Sequence, residues 1–465
     1  MRGHQLFQYN FMVTAKDPAI PSNWQATVQQ APPAIPTNTT PDDLASQQPE
    51  APPPQNRRSP LIALQHRDFR LLFFGSFVSQ LGSQMRIMAV NAHLWDLSHS
   101  LPTISLLALF QLVPLLVLSL FGGVIADALD RRRLLMATQT TLALSSVLLA
   151  VATQFGWISP PVIFIAAAMG ASALAFDNPA RSALTPNLVP RQHLPNALSL
   201  NIIVWQIATI VGPTVGGAFL GLGRTGYTII YWFDAVSFTA VLLALFFIRT
   251  RTDEHMTRDV SLKSAFDGLR FLRRAPIIMS TMTLDFFATF FGGATMLFPA
   301  FADQVLHVDR SYLGFMYAAP AVGAVVAGIV MSWLGNVRRQ GYVVLFSVAF
   351  YGICTILWGS SHFFLITLVA LAGVGAADTV SMVMRQTIRQ LSTPDELRGR
   401  MTSVNMLFYI GGPRLGEFEA GIAAQLLGLG PSVMLGGAGV LVATAVLGRI
   451  VPALRNYDRA SVEHT

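Results

Sequence analysis

Long apolar segments recur along this chain from residue 69 to residue 450, and short polar connections separate them. Each segment holds about 20 or more mostly apolar residues, the length that an α-helix needs to cross a bilayer. The segments are too long and too continuous for the alternating strands of roughly ten residues that build membrane barrels. The pattern therefore predicts twelve membrane-spanning helices, at residues 69–94, 103–126, 134–154, 160–182, 195–221, 226–248, 277–302, 311–334, 341–360, 362–390, 400–427 and 431–450.

The second half of the chain repeats features of the first at a spacing of 204 residues. The matching residues are Arg181, Pro190, Ser199, Asn201 and Gly212, which recur as Arg385, Pro394, Ser403, Asn405 and Gly416. A repeat of this length is far longer than the roughly 20–50 residues of a solenoid. Many membrane transporters are built from repeated halves with the substrate site between them. We therefore predict an all-α membrane protein whose twelve transmembrane helices form two pseudo-symmetric six-helix bundles.

Composition divides the chain into five segments. They are a disordered Pro- and Gln-rich tail over 1–60, an N-terminal bundle over 61–248, a basic linker over 249–275, a C-terminal bundle over 276–451 and a short tail over 452–465. The first tail cannot bury enough apolar surface to fold. A protein whose translation starts at Met12, and not at Met1, is an open alternative. Apolar residues of the linker follow one helical face, which predicts an amphipathic helix on the membrane surface. A solvated basic linker is the alternative.

Charge is scarce and unevenly distributed. Charged residues are 12% of the chain and apolar residues 52%, against roughly 25% charged in soluble domains. If both termini are cytoplasmic, 25 of the 31 Lys and Arg residues fall in cytoplasmic segments, and only Arg224 and Arg310 fall in external loops. Because cytoplasmic loops retain Lys and Arg, this distribution predicts a protein of the bacterial inner (plasma) membrane with both termini on the cytoplasmic side. The basic residues of the cytoplasmic segments account for the net charge of +7, so this charge does not indicate nucleic-acid binding.

A stretch of small and charged residues follows the second predicted span. It reads Gly-Gly-Val-Ile-Ala-Asp-Ala-Leu-Asp-Arg-Arg-Arg over residues 122–133. This stretch resembles the Gly-x-x-Ala-Asp-x-x-x-Arg-Arg loop motif of the major facilitator superfamily, from which Ala128 and Asp130 depart. The resemblance implies the major facilitator fold and a charged gate at the cytoplasmic mouth. The gate residues that it implies are Gly123, Asp127, Arg131, Arg132, Asp177 and Arg181.

The fifth predicted span contains Gly212, Pro213, Gly216 and Gly217. Proline inside a helix removes a hydrogen bond and bends the helix, and the glycines allow close packing. This element resembles the Gly-Pro-x-x-Gly-Gly motif that is associated with proton-coupled antiporters of the superfamily. The resemblance implies export driven by protons. The alternative is helix packing without directional meaning, because Gly and Pro are frequent in membrane helices.

Further segments resemble one bacterial branch of the superfamily, the branch that includes the enterobactin exporter. They lie at 66–70, 177–186, 196–201, 262–272, 314–319 and 393–400, and the resemblance covers about residues 61–455. It implies a small amphipathic substrate such as a siderophore or a drug-like molecule. It does not specify the ligand.

Ionisable residues inside membrane spans are energetically costly and are therefore functional candidates. The sequence singles out Arg86, Asp234, Asp285, Arg414, Glu417 and Glu419. We predict that Arg86, Asp285, Arg414 and Glu417 line a central cavity, where a carboxylate that accepts a proton can release substrate. Static buried ion pairs are the alternative, and a structural role is favoured for Asp234.

Enzyme chemistry has no support in the sequence. The histidines show no metal-ligand spacing, there is no phosphate-binding loop, and the single cysteine, Cys354, excludes an internal disulfide. We predict no cofactor and no metal. The predicted function is a monomeric secondary transporter that exports a small molecule in exchange for protons and is surrounded by lipid. A metabolite importer, and a non-transporting membrane sensor or scaffold, remain alternatives.

Overall fold

Helices make up almost all of the regular structure in a computed structural model that describes residues 61–128, 130–248, 275–335, 337–393 and 398–457. Side chains of residues 120–128, 398–400, 402, 403 and 407 are outside this description. The predicted disordered tail at 1–60 with Met12, and the predicted amphipathic helix of the linker, also lie outside the described residues.

Two sets of helices follow each other along the chain. The first half contains α1 (Arg67–Ser98), α2 (Leu101–Ala128), α3 (Arg131–Phe155), α4 (Pro160–Leu184), α5 (Leu194–Leu220) and α6 (Arg224–Phe247). The second half contains α7 (Pro276–Gly292), α8 (Phe298–Gln304), α9 (Leu313–Leu334), α10 (Gln340–Ser360), α11 (Phe364–Leu391), α12 (Arg398–Leu427) and α13 (Leu429–Ile450). With α7 and α8 counted as one span, the predicted twelve-helix fold is confirmed.

Ten of these spans are long and apolar enough to cross a membrane by length and composition alone. The other two are α1 and α12, which contain Arg86 and the Arg414–Glu417 pair. The two spans outside this set are therefore ones that contain charged residues that the sequence singled out.

Successive spans run in opposite directions, with α7 and α8 as one span, so the bundle has two ends. We call the end where α1, α7 and α12 begin the arginine face, because Arg67 and Arg131 lie there. The other end, where α1 and α12 finish and α9 begins, is the distal face. Asp130 starts α3 at the arginine face, since its Oδ1 accepts hydrogen bonds from the backbone N–H groups of Arg132 and Arg133 at 2.8 and 3.0 Å. Such a cap contributes about 1 kcal/mol, and it gives a local role to a residue that departs from the family motif.

The seventh span is interrupted, which the continuous apolar pattern at 277–302 did not predict. Helix α7 ends at Gly292, and α8 begins only at Phe298 after a 3-10 turn over Thr295–Leu297. A Cβ at Gly292 would overlap the ring of Tyr351. The break therefore lies where backbone and a neighbouring aromatic ring approach closely.

Hydrophobic cores differ between the two ends. Near the distal face one core contains residues from both halves, including Met88, Trp95, Leu297, Phe298 and Trp358. Nearer the arginine face, each core is confined to a single half, as for Leu135 with Val241 and for Leu284 with Ile388. Among the described residues, the buried apolar core shared by both halves therefore lies near the distal face, and the cores nearer the arginine face each belong to one half.

The predicted C-terminal tail begins with ordered packing. Residues Pro452–Arg455 form a short helix, α14, in which Leu454 is fully buried. The backbone N–H of Gly341 donates to the carbonyl of Tyr457 at 3.3 Å. The described part of the chain thus packs six residues beyond the predicted bundle boundary at 451.

Candidate functional site

The guanidinium group of Arg385 lies close to two carboxylates in the second half. Arg385 Nη2 on α11 lies 2.9 Å from Asp285 Oδ1 on α7 and 3.5 Å from Asp378 Oδ1 on α11. The side chains of Arg385 and Asp285 are 2% and 9% exposed, whereas that of Asp378 is 47% exposed. Asp285 is therefore enclosed in an ion pair, and Asp378 is the carboxyl group that water can reach.

Asp378 lies on the face of α11 that turns toward the interior of the helical bundle. It lies 13 residues before the end of α11, about 20 Å from the arginine face at 1.5 Å per residue. Arg385, seven residues later, shares its face of the helix. Val369, which is 63% exposed, is nine residues earlier and thus on the opposite face. Asp378 therefore lies on the side of α11 that it shares with buried Arg385, opposite the exposed Val369.

Glu417 forms a second network, beside the break between α7 and α8. Arg414 Nη1 donates to Glu417 Oε2 at 2.9 Å, and Thr295 Oγ1 donates to Oε1 at 2.7 Å. The Tyr317 hydroxyl donates to the Thr295 carbonyl at 3.2 Å and accepts from Asn91 Nδ2 at 2.9 Å. The network therefore links α12 and the interrupted seventh span to α1 of the first half. Glu419, about 200° around α12 from Glu417, has no hydrogen bond or ion pair among the described residues.

Arg86 is paired inside the first half. Its Nε lies 2.8 Å from Asp234 Oδ2, and Asp234 is fully buried. Ser146 and Ser83 donate hydroxyl hydrogen bonds to the same carboxylate at 2.5 and 3.3 Å. These contacts join α1, α3 and α6, whereas Asp285, Arg414 and Glu417 all lie in the second half. The predicted four-residue cavity set is thus distributed over three separate networks.

The predicted gate residues lie at the arginine face of the first half. Arg181 Nε donates to Asp177 Oδ2 at 3.1 Å, and Arg181 Nη1 donates to Ser76 Oγ at 2.7 Å. Thr138 and Gln139 donate to Asp177 Oδ1 at 2.8 and 2.7 Å. Arg131 and Arg132 donate to the carbonyls of Ala183 and Phe246. Gly123 and Asp127 belong to α2, but their side chains lie outside the described set. A gating role for all six stays a prediction.

The glycines of the fifth-span motif are packing positions in α5. A Cβ at Gly212 would lie 2.8 Å from Gln84 Cβ, and one at Gly216 would lie 2.9 Å from Met88 Cε, both on α1. A Cβ at Gly217 would lie 2.6 Å from the Ser311 carbonyl and 2.8 Å from Gly314 Cα. Pro213 lies within α5 and is buried. The motif therefore packs α5 against α1 and, across the two halves, against the start of α9.

Charged residues close the distal face. Arg310 Nη2 lies 2.8 Å from Asp96 Oδ1, and the Tyr227 hydroxyl donates to Asp96 Oδ2 at 2.6 Å. Trp95 Nε1 donates to Asp303 Oδ2 at 3.1 Å. We call Trp95, Asp96, Asp303 and Arg310 the distal latch, because both of its contacts join the first half to the second.

The loop that carries Arg310 has its own anchor. The Ser311 backbone N–H donates to Asp309 Oδ1 at 2.9 Å, and this hydrogen bond holds the pKa of the Asp309 carboxyl below its usual range. Asp309 therefore stays ionised and fixes the turn before α9.

Sequence reasoning missed Asp378, Arg385 and the distal latch. Asp378 lies inside the predicted span 362–390, so the rule that singled out Asp285 would also have found it. Arg385 and Arg389 also lie inside this predicted span but were not among its ionisable candidates; both are buried in α11, and Arg389 Nη1 donates to Asn405 Oδ1 at 2.7 Å. The described residues contain no group of three or more His, Cys, Asp or Glu residues that could hold a metal ion.

Comparisons with known proteins agree with this architecture. A family model described as transmembrane secretion effector matches residues 58–465. The enterobactin exporter EntS of Escherichia coli strain K12 is 24% identical over 414 residues, which cover 88% of this chain and 99% of that protein. The solved nucleoside transporter NupG is 12% identical, with a TM-score of 0.67, over 84% of this chain and 100% of that one. A bacterial homologue of the iron transporter ferroportin in the inward-facing state is 17% identical, with a TM-score of 0.65, over 82% and 98% of the two chains.

Proposed function

Because the chain belongs to the transmembrane secretion effector family of major facilitator transporters, we propose that it exports a small amphipathic molecule in exchange for protons. The proposal includes a location in the bacterial inner membrane, with the arginine face cytoplasmic and the distal face external. It also includes a monomer as the working unit, since two six-helix halves form one complete substrate path.

The observation that carries the proposal is the exposed carboxyl group of Asp378 in the middle of α11. Asp285 and Glu417 each lie 2.9 Å from a guanidinium nitrogen, and each side chain is only 9% exposed. Asp378 is 3.5 Å from its guanidinium and 47% exposed. A carboxyl group that exchanges protons and substrate needs solvent access, so we assign this role to Asp378 in place of Asp285 or Glu417.

The arrangement supports an alternating-access cycle. In the state with a closed distal latch and an open arginine face, cytoplasmic substrate reaches ionised Asp378. Opening of the latch and closure of the arginine face then expose the same carboxylate to the outside. Protonation there releases the substrate, and the proton travels inward as the transporter returns. Each cycle thus moves substrate outward and protons inward down their gradient.

The Glu417 network has a coupling role in this cycle. Thr295 lies in the break of the seventh span and bonds to Glu417, while Tyr317 bonds to Asn91 of the first half. Discontinuous helices in transporters commonly border the substrate site. A movement of α12 at Glu417 would therefore reach α1 through two hydrogen-bonded side chains.

Substrate accumulation in everted membrane vesicles with an acidic interior tests the proposal, with a panel of amphipathic cations, anions and neutral molecules. We expect accumulation that collapses when an ionophore removes the pH gradient. Asp378→Asn is expected to lower it at least tenfold. Glu419→Gln is the matched control, because it removes a carboxyl group of the same half on the far side of α12, and it should leave accumulation unchanged. Accumulation that ignores the gradient would refute proton coupling, and accumulation only in right-side-out vesicles would refute export.

A further inference from the structure

We infer that the second half carries, at the arginine face, a binding surface for the head group of an anionic phospholipid. Four exposed arginines form this surface, and we call them the basic patch: Arg338, Arg339, Arg449 and Arg455. The inference goes beyond the proposed function and does not depend on the substrate or on the direction of transport.

Two helices bring three arginines of the patch to one place. Arg338 and Arg339 directly precede α10. Near the end of α13, a Cβ at Gly448 would lie 3.3 Å from Leu345 Cδ1 on α10. Arg449, the next residue, therefore lies beside the first two turns of α10.

The short helix α14 adds the fourth arginine. The backbone N–H of Gly341 in the first turn of α10 donates to the carbonyl of Tyr457 at 3.3 Å. A Cβ at Gly341 would lie 3.1 Å from the carbonyl oxygen of Arg455. Three connections that are distant in sequence thus place their arginines around the start of one helix.

The patch has no acidic partner among the described residues. None of its four arginines forms an ion pair with a described carboxylate. In the first half, by contrast, Arg131 and Arg132 donate to backbone carbonyl groups of that half. Arginine binds phosphate oxygens through two parallel N–H groups. The positive charge of the patch is therefore available to a phosphate group.

Exposed apolar side chains lie on the membrane side of the patch. On α10, Tyr342 and Phe346 are four residues apart, so they share one exposed face of the helix. Val446 and Ile450 form a similar exposed pair on α13, which packs beside α10. Trp333, near the end of α9, is 85% exposed. Tyr and Trp are enriched at the level of the lipid head groups, so these side chains suit the glycerol backbone and acyl chains of a lipid.

This combination favours an anionic phospholipid over other occupants. Clusters of Lys and Arg at a membrane surface attract anionic lipid head groups. A soluble phosphate would gain nothing from the apolar side chains. The ammonium group of phosphatidylethanolamine would be repelled by the four guanidinium groups. We therefore expect the patch to discriminate between lipids by the charge of their head group.

Native mass spectrometry of the purified full-length protein measures this discrimination. Dioleoyl phosphatidylglycerol is the probe, and dioleoyl phosphatidylethanolamine is its matched control, because the two lipids share their acyl chains. We expect the protein to bind the phosphatidylglycerol at least tenfold more tightly. The triple variant Arg338→Gln, Arg339→Gln and Arg449→Gln should lose most of this preference. The triple variant Arg338→Lys, Arg339→Lys and Arg449→Lys should keep most of it, because the positive charge remains.

A second triple variant separates the patch from the overall charge of the protein. Arg70→Gln, Arg133→Gln and Arg191→Gln together remove the same charge from exposed arginines at the arginine face of the first half. This variant should bind phosphatidylglycerol as the unaltered protein does. Thermal unfolding of each variant establishes that it is folded, and the lysine variant keeps the test informative if the glutamine variant of the patch is not.

Three results would overturn the inference. Equal affinity for the two lipids would mean that head-group charge is not recognised. Equal loss of phosphatidylglycerol binding in the two glutamine variants would mean that overall charge, and not the patch, attracts the lipid. Displacement of the bound lipid by excess inorganic phosphate would mean that the patch is a site for a soluble anion.

Discussion

Arg310 Nη2 and Asp96 Oδ1 lie 2.8 Å apart and join the loop before α9 to the end of α1. The pair is partly exposed, with 49% of the Arg310 side chain reached by solvent, so its contribution is small. Exposed ion pairs typically contribute about 0.2–1 kcal/mol. A transporter must open and close at this face, so it needs an ion pair that is weak enough to break in each cycle.

Removing this ion pair should shift the protein away from the state that is closed at the distal face. In a Cys354→Ser background, Ala92→Cys places a thiol in the small cavity that Trp95, Asp303 and Arg310 also line. We expect Arg310→Ala to raise the rate at which a membrane-impermeant maleimide labels this thiol by roughly two- to fivefold, the equivalent of about 0.5–1 kcal/mol.

Arg224→Ala is the matched control for the latch. Arg224 lies at the same face, but it donates to the carbonyls of Thr153 and Gln154 within the first half. The double variant Asp96→Lys with Arg310→Asp should restore slow labelling. An unchanged labelling rate in Arg310→Ala would mean that the latch does not hold the halves together.

The close contact between α5 and α9 should be sensitive to a single methyl group. At Gly217 a Cβ would lie 2.8 Å from Gly314 Cα and nitrogen, both of which are backbone atoms that cannot move aside. We expect Gly217→Ala to separate these helices and to increase labelling of the distal thiol. Gly328→Ala on α9 is the control, because nothing lies within 4 Å of its added Cβ. Equal labelling in both variants would contradict a closing role for this contact.

The Arg86–Asp234 pair should stabilise the folded protein as long as both partners are present. Asp234→Ala leaves the largely buried Arg86 without its carboxylate, and loss of one partner of a buried pair costs about 3–5 kcal/mol. Thermal unfolding in detergent should show a large loss for Asp234→Ala and a substantial recovery for Arg86→Met with Asp234→Leu. A variant Asp234→Asn that unfolds normally but no longer transports would instead support the predicted role of Arg86 in the substrate path.

The sequence predicted the spans because membrane helices are determined by local apolarity. It did not predict the break at Gly292, since a helix with an interruption has the same apolar composition as a continuous one. The latch was also missed, because the pairing of Asp96 with Arg310 depends on how two distant halves pack. The role of Arg385 was missed for a related reason. An arginine near the end of a span resembles a loop charge unless a carboxylate such as Asp285 is known to lie opposite it, and one sequence does not reveal that partner.

The repeat does have a structural counterpart. Arg181 and Arg385, 204 residues apart, lie near the ends of α4 and α11, and each contacts the first helix of its own half. Arg181 reaches Ser76 on α1, and Arg385 reaches Asp285 on α7. The two halves therefore place an arginine equivalently, and its partner on the first helix of the half is neutral in one half and acidic in the other.

This asymmetry predicts unequal effects of removing the two arginines. Arg385→Ala leaves Asp285 buried without a counter-charge, which should destabilise the protein by about 3–5 kcal/mol. Arg181→Ala also removes the counter-charge of a buried carboxylate, that of Asp177, but Thr138 and Gln139 still donate to it, so we expect a smaller loss of about 1–2 kcal/mol. Thermal unfolding compares the two variants. Adding Asp285→Asn to Arg385→Ala should recover part of the loss, because a neutral amide does not need a buried counter-charge. Equal destabilisation by the two single variants would show that the hydrogen bonds to Asp177 do not reduce the loss, and no recovery in the double variant would show that the buried charge of Asp285 does not cause it.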